Sequence, residues 1–378
     1  MVAPKVLAPQ RLIGTMNSVE INEARCRRLI DRAIAKFELD LSGLVILTEA
    51  ATGYYVLTPL IAALACADCV YALTQDSRYG SAQMVYEQTI ALADRWGVAR
   101  RIEVLLSRED DRIASADIVT NLGFVRPLDA SFLRRLKHTA VIPLMFEPWE
   151  YRPEDLDLAE CRRLGIPVLG TNESHPDLQT FQYIGHLVLK LLFELDIEVF
   201  RARVVVVGGG EFGDAVFSSL CATGAAVSMI RPEQGESLNQ QHIRDLLTDC
   251  DAIAVVEHLH RKRLIGSGGQ ITARELRSIN PGVVLVHVAG DVDYADLEAA
   301  EIPVRPSRFA PAGYMSVTTD YLGPRPLVDL HTAGLKIGEE LARARAQGLP
   351  ALEAEFTVLR KTHLSQGFTG YHDVKEWG

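Results

Sequence analysis

No stretch of this sequence reaches the roughly 18 consecutive apolar residues that a membrane-spanning helix needs. Positive charge is also in short supply: lysine and arginine number 39 against 49 acidic residues, for a net charge of −10. Nucleic acids and anionic membranes are met by a basic face, so this balance argues against both as partners. Cysteine is sparse and unpatterned. Cys26, Cys66, Cys69, Cys161, Cys221 and Cys250 are scattered through apparent helices and strands. Cys66 and Cys69 form a CxxC, but no second CxxC or histidine pair accompanies it, so no metal site is expected there. The opening MVAPKVLAPQRLIGTMN lacks the charged start and apolar core of a signal peptide and reads as a loosely held arm. The expected compartment is a reducing cytoplasm.

What remains is a chain of 378 residues that is 48% hydrophobic, enough for two domains with proper cores. It is organised around residues 203–231, RVVVVGGGEFGDAVFSSLCATGAAVSMIR. Four consecutive valines suit a strand buried on both faces. Gly208, Gly210 and Gly213 follow in GxGxxG spacing, then a helical stretch, then a second strand at 225–230. In such a unit the first glycine permits the tight turn, the second lets a pyrophosphate approach the backbone, and the third lets the helix pack on the sheet. The helix N-terminus offers N–H groups and a positive dipole end to the phosphates. A dinucleotide is therefore the expected cofactor.

A second series of alternating elements precedes it. Residues 18–37 read as an amphipathic helix, 43–48 as a buried strand, 57–65 as an apolar helix, 69–74 as a strand, 81–96 as a helix and 101–106 as a strand. The turn from Glu49 to Gly53, with Asp76 ending the next strand, is similar to the cofactor loop of S-adenosylmethionine methyltransferases, though with one glycine where those enzymes use two or three. Another reading has Glu49, Asp76, Arg78 and Tyr79 lining a substrate site at the carboxyl ends of the strands.

From residue 116 onward the order of elements resembles the D-2-hydroxyacid dehydrogenase superfamily, of formate, glycerate and lactate types. Asp157-Leu158, Gly165-Ile166-Pro167-Val168 and Asn172 match its approach to the crossing helix, here an apolar helix at 176–195. Pro281-Gly282 through Asp291 matches the family's "mkpga.lvN.aRG", and Pro326 through Gly334 its "TPHtAG", followed by a helix at 335–347. The resemblance covers roughly residues 116–347; the tail 351–378 has no counterpart. It implies an α/β fold of two Rossmann/flavodoxin-like parallel-sheet domains with a cleft between them: a catalytic domain at 1–175, rejoined by 335–378, and a dinucleotide-binding domain at 176–330. It also implies a homodimer paired through the crossing helix.

By this resemblance His331 is the acid/base that exchanges a proton with a small, carboxylated substrate while hydride moves to or from nicotinamide. A structural histidine capping the next helix is the alternative. The family's substrate arginine is missing, since Ala289-Gly290-Asp291 stands where it has "aRG", and its glutamate partner is missing from 303–323. Asp320, Asp329 or Asp291 is left to support His331, and Arg78, Arg305 or Arg308 to hold an anion. The cofactor-binding set is Gly208, Gly210, Glu211, Phe212, Gly213, Arg231, His258 and Ala289. His258 and His260 sit on one face of an extended loop, where a metal pair or a cofactor contact is conceivable. Arg231 falls where NAD-binding units carry an acid for the ribose 2′-OH, so NADP is expected, with NAD possible should Glu233 take that place. Two other functions fit: an enzyme that uses bound NAD as a transient redox cofactor, as S-adenosylhomocysteine hydrolase does, and a non-catalytic dinucleotide sensor or scaffold.

Overall fold

The computed structural model describes residues 21–369. The predicted N-terminal arm and the end of the tail lie outside the described residues. The chain divides into two compact units: among the described residues, 21–178 with 324–369 form one and 179–323 the other.

The larger unit is built on four parallel strands in the order Ile102–Leu105, Cys69–Leu73, Val45–Glu49, Ile118–Val119. Ile118 also bridges Val141 in parallel, leading into Ile142–Pro143 and Val168–Thr171, with Ser365–Gln366 antiparallel at the edge. Helix Glu23–Phe37 packs with Leu29, Ile30, Ala33 and Phe37 buried, as its apolar spacing predicts, and Asn22 caps its start by accepting from Arg25 N at 3.0 Å. The tail is part of this unit. Helix Ala351–Lys361 is anchored where Glu355 accepts from Val168 N at 2.7 Å.

The predicted helix at 335–347 instead runs from Pro324 to Ala346. Proline is a breaker inside a helix, yet it suits the first turn, where no N–H partner exists. Pro324 and Pro326 therefore begin the helix rather than precede it, and His331 lies within it. The helix crosses the sheet closely: a Cβ on Gly338 would come within 2.8 Å of Ile118, and one on Gly334 within 2.3 Å of Met145 Sδ.

The smaller unit holds five parallel strands in the order Val304–Arg305, Val284–Ala289, Ala252–Val256, Arg203–Val207, Ala226–Ile230. The four valines are buried on both faces, between the two apolar layers of this unit. The predicted helix at 176–195 begins at Gln182 and ends at Phe193. It packs on helix Gly210–Ala222 with Gly185 against Ser219. Among the described residues no helix is long and apolar enough to cross a membrane.

Candidate functional site

In the smaller unit the glycine turn sits at the carboxyl edge of the sheet. Gly208 has φ +131, a backbone state that L side chains avoid, and a Cβ there would meet Glu257 N at 2.6 Å. A Cβ on Gly213 would lie 2.3 Å from Gly208 O, so the helix can start this near the strand only without a side chain. Gly209, the N-cap, gives helix Gly210–Ala222 no side-chain cap, which leaves the helix N-terminus open to an anion.

The neighbouring strand ends complete the edge. Ala289 pairs with Val256 beyond a register shift after His287, and is buried. Glu257, 1% exposed, ends an apolar strand; its Oε1 accepts from Leu259 N at 2.7 Å and from His260 N at 3.0 Å, shaping the loop that follows. His258 stacks on Phe212 at 4.2 Å and lies against Gly210. Burial pushes its pKa down to about 4, so the ring is neutral. Glu211 points outward and is exposed. Among the described residues no group of three or more histidines, cysteines or acids could hold a metal ion.

The charge around Arg231 differs from that expected of an isolated cation. Its guanidinium pairs with Asp214 at 2.9 Å and lies 3.9 Å from Glu233, while the Arg231 backbone N–H donates to Glu236 at 2.5 Å. The short turn Pro232–Gln234 folds Glu233 back over the glycine turn. A Cβ on Gly209 would meet Glu233 Oε1 at 1.8 Å. Glu233 Oε2 is buried and meets no donor among the described residues. One cation thus stands among three carboxylates, and a carboxylate, not the guanidinium, touches the turn.

In the larger unit His331 is 4% exposed. Its Nδ1 lies 3.0 Å from Thr58 Oγ1, and Tyr55 stands beside the ring, 6.1 Å between centroids. Burial pushes its pKa down to about 3, so the imidazole is neutral. The partner is therefore a hydroxyl, not one of the three acids considered from the sequence. Asp329 is on the same helix but does not meet the ring; burial raises its pKa against the pull of Lys36 and Arg325. Asp320 belongs to the other unit, where it accepts from Thr318. Asp291, also there, is paired with Arg263 at 3.2 Å.

Of the three cations offered by the sequence, Arg308 is exposed and the other two make contacts of their own. Arg78 is exposed and donates to Tyr79 Oη at 2.6 Å, and Arg305 donates to Val304 O at 2.9 Å. At position 290, where the resemblance puts arginine, Gly290 has φ +123 and a Cβ would meet Val255 Cγ1 at 3.1 Å. Glu49 is turned inward, 4% exposed, accepting from Phe124 N at 3.0 Å, so it braces the sheet edge rather than lining a methyltransferase-like loop. Sequence reasoning missed Thr58, for which the sequence carries no signal. It noted the loop of His258 and His260 but not that Glu257 shapes it, for which a charge at the end of a buried apolar run was a usable signal.

No protein-family model and no curated relative matches the sequence. Similar solved structures include a dipicolinate synthase polypeptide from Bacillus halodurans, 12% identical over 80% of this chain and 98% of that one, TM-score 0.48. The pyruvate reductase of Chlamydomonas reinhardtii is 15% identical over 80% and 97%, TM-score 0.49. The 2-hydroxyacid dehydrogenase from Ketogulonicigenium vulgare is 14% identical over 82% and 97%, TM-score 0.40.

Proposed function

We propose that the protein is a nicotinamide-dinucleotide oxidoreductase of D-2-hydroxyacid dehydrogenase type, acting on a small 2-oxo or 2-hydroxy acid. The observation that carries this is the glycine turn with its open helix N-terminus and the Glu233 carboxylate laid against Gly209. The turn and helix N–H groups would hold the pyrophosphate. The unclaimed Glu233 Oε2 would accept from ribose hydroxyls. When bound, the nicotinamide supplies or accepts the hydride. His331, neutral and held by Thr58, takes the substrate hydroxyl proton in oxidation and returns it in reduction.

The same geometry favours NAD(H) over NADP(H). A 2′-phosphate would bring negative charge to Glu233, Asp214 and Glu236, with Arg231 already engaged. Hydrogen bonds to a charged group contribute about 1.5–3 kcal/mol, so Glu233→Ala is expected to weaken NADH binding on the order of tenfold to a hundredfold. Fluorescence titration of NADH and NADPH against both proteins measures this. Tighter NADPH binding by the wild type would overturn the assignment and return the role to Arg231.

A homodimer is part of this proposal. Phe193, Phe200 and Phe217 stay 60%, 66% and 38% exposed on or beside the helix pair of the smaller unit. An apolar face of this kind suits a second copy. Sedimentation at micromolar concentration is expected to show a dimer, and a monomer there would refute it.

A further inference from the structure

The larger unit carries a buried donor at its sheet edge that the fold leaves unused. Asn121 follows strand Ile118–Val119 and is 3% exposed. Its Oδ1 accepts from Met145 N at 2.8 Å. That bond fixes the amide orientation, because a flipped side chain would set an NH2 against an N–H. Nδ2 is buried and meets no acceptor among the described residues. Native folds rarely leave a buried donor unpaired, and one that persists calls for a reason.

Its position supplies that reason. Ligands of parallel α/β sheets bind at the carboxyl ends of the strands, and Asn121 lies just past one. Met145, which fixes the amide, packs its sulfur on Gly334. Gly334 is three residues from His331, on the same face of helix Pro324–Ala346. Asn121 and His331 thus belong to one unit and are linked through two residues, Met145 and Gly334. Among the cations of this unit, Arg126 is committed to Asp155 at 2.6 Å and Lys336 to Glu339 at 2.9 Å.

We infer that Asn121 is a substrate-binding residue whose Nδ2 donates to a carboxylate oxygen of the small 2-oxo or 2-hydroxy acid, where an arginine is absent. This rests on the function proposed above. A neutral amide makes a weaker bond to a carboxylate than a guanidinium does, so substrate affinity is expected to be lower than an arginine in its place would give.

Asn121→Asp tests it, because the carboxylate still accepts from Met145 N while both donors are lost. Glyoxylate and pyruvate serve as substrates, and oxamate as a non-reacting probe titrated into the NADH-loaded enzyme. The expected result is a rise of about tenfold to a hundredfold in KM and in the oxamate Kd. NADH affinity stays unchanged, while the thermal midpoint falls because the buried carboxylate meets a single N–H donor. Asn121→Ser, which keeps a donor, recovers part of the loss. A wild type that binds the three compounds and a variant that binds them equally well would overturn this inference alone. A wild type that binds NADH but none of the three at millimolar concentration would overturn the substrate class and this inference together. A variant that loses thermal stability while its KM stays put would show that Asn121 only braces Met145.

Discussion

His331→Ala is expected to lower turnover by about 10²- to 10⁴-fold and to leave NADH affinity unchanged. His331, the proposed acid/base, belongs to the larger unit and the proposed dinucleotide turn to the smaller one, so the two measurements report on different residues. The pH profile is the sharper readout. With a pKa near 3, His331 is neutral throughout the physiological range. A neutral imidazole is ready to take a proton, so oxidation needs no prior ionisation of this group. Reduction draws on the protonated ring, whose population grows tenfold for each unit the pH falls until about 3. The reduction rate should therefore climb steadily on acidification, with no plateau near the ordinary histidine value of about 6.5. The hydroxyl of Thr58 stands where a carboxylate would hold the charge, so Thr58→Asp should move the reduction limb to higher pH. Unaltered turnover in His331→Ala would leave the histidine a helix-packing residue. A wild-type plateau at pH 6–7 would mean a carboxylate reaches the ring.

The second large effect is acid sensitivity of the fold. His287 is fully buried, its Nε2 donating to Gly290 O at 3.0 Å and its Nδ1 accepting from Ser316 Oγ at 2.8 Å. Burial depresses its pKa to about 4, against about 6.5 in an unfolded chain. Between those values the unfolded chain binds the proton and the folded one does not, so stability is lost as pH falls from about 6.5 toward 4. The loss is about 1.4 kcal/mol per pH unit. His258 and His331 act in the same direction. Glu150 acts oppositely: burial raises its pKa to about 7, so protonation stabilises the folded chain as pH drops through that range. The clean comparison is urea unfolding of wild type and His287→Asn at pH 7 and pH 5. The variant starts less stable and should lose about 2 kcal/mol less across that interval. Equal losses would show that His287 already carries its proton in the folded state.

The glycine turn was legible because strand burial, turn geometry and helix packing each leave a mark at fixed spacing. Gly208 and Gly213 are where a side chain would strike backbone, and the sequence says so directly. The ribose end was less legible. Counting places Arg231 correctly at the end of its strand, but the fold-back at Pro232–Gln234 decides which charge meets Gly209, and counting does not register a turn. The helix carrying His331 was misread at its start because proline signals both an ending and a beginning. Thr58 and Asn121 were invisible for another reason. Their roles depend on His331 and Met145, which the chain brings near only by folding, and nothing local marks the pair.

Gly290 narrows the routes by which this chemistry can change. An arginine there would need a backbone angle that L residues avoid and a side-chain exit through Val255. A point substitution at 290 would therefore cost the fold before it added a cation, and Val255 would have to shrink and the peptide rotate in the same step. Descendants of this sequence, or designers of new substrate ranges, would reach positive charge more readily from surrounding loops than by substitution at 290.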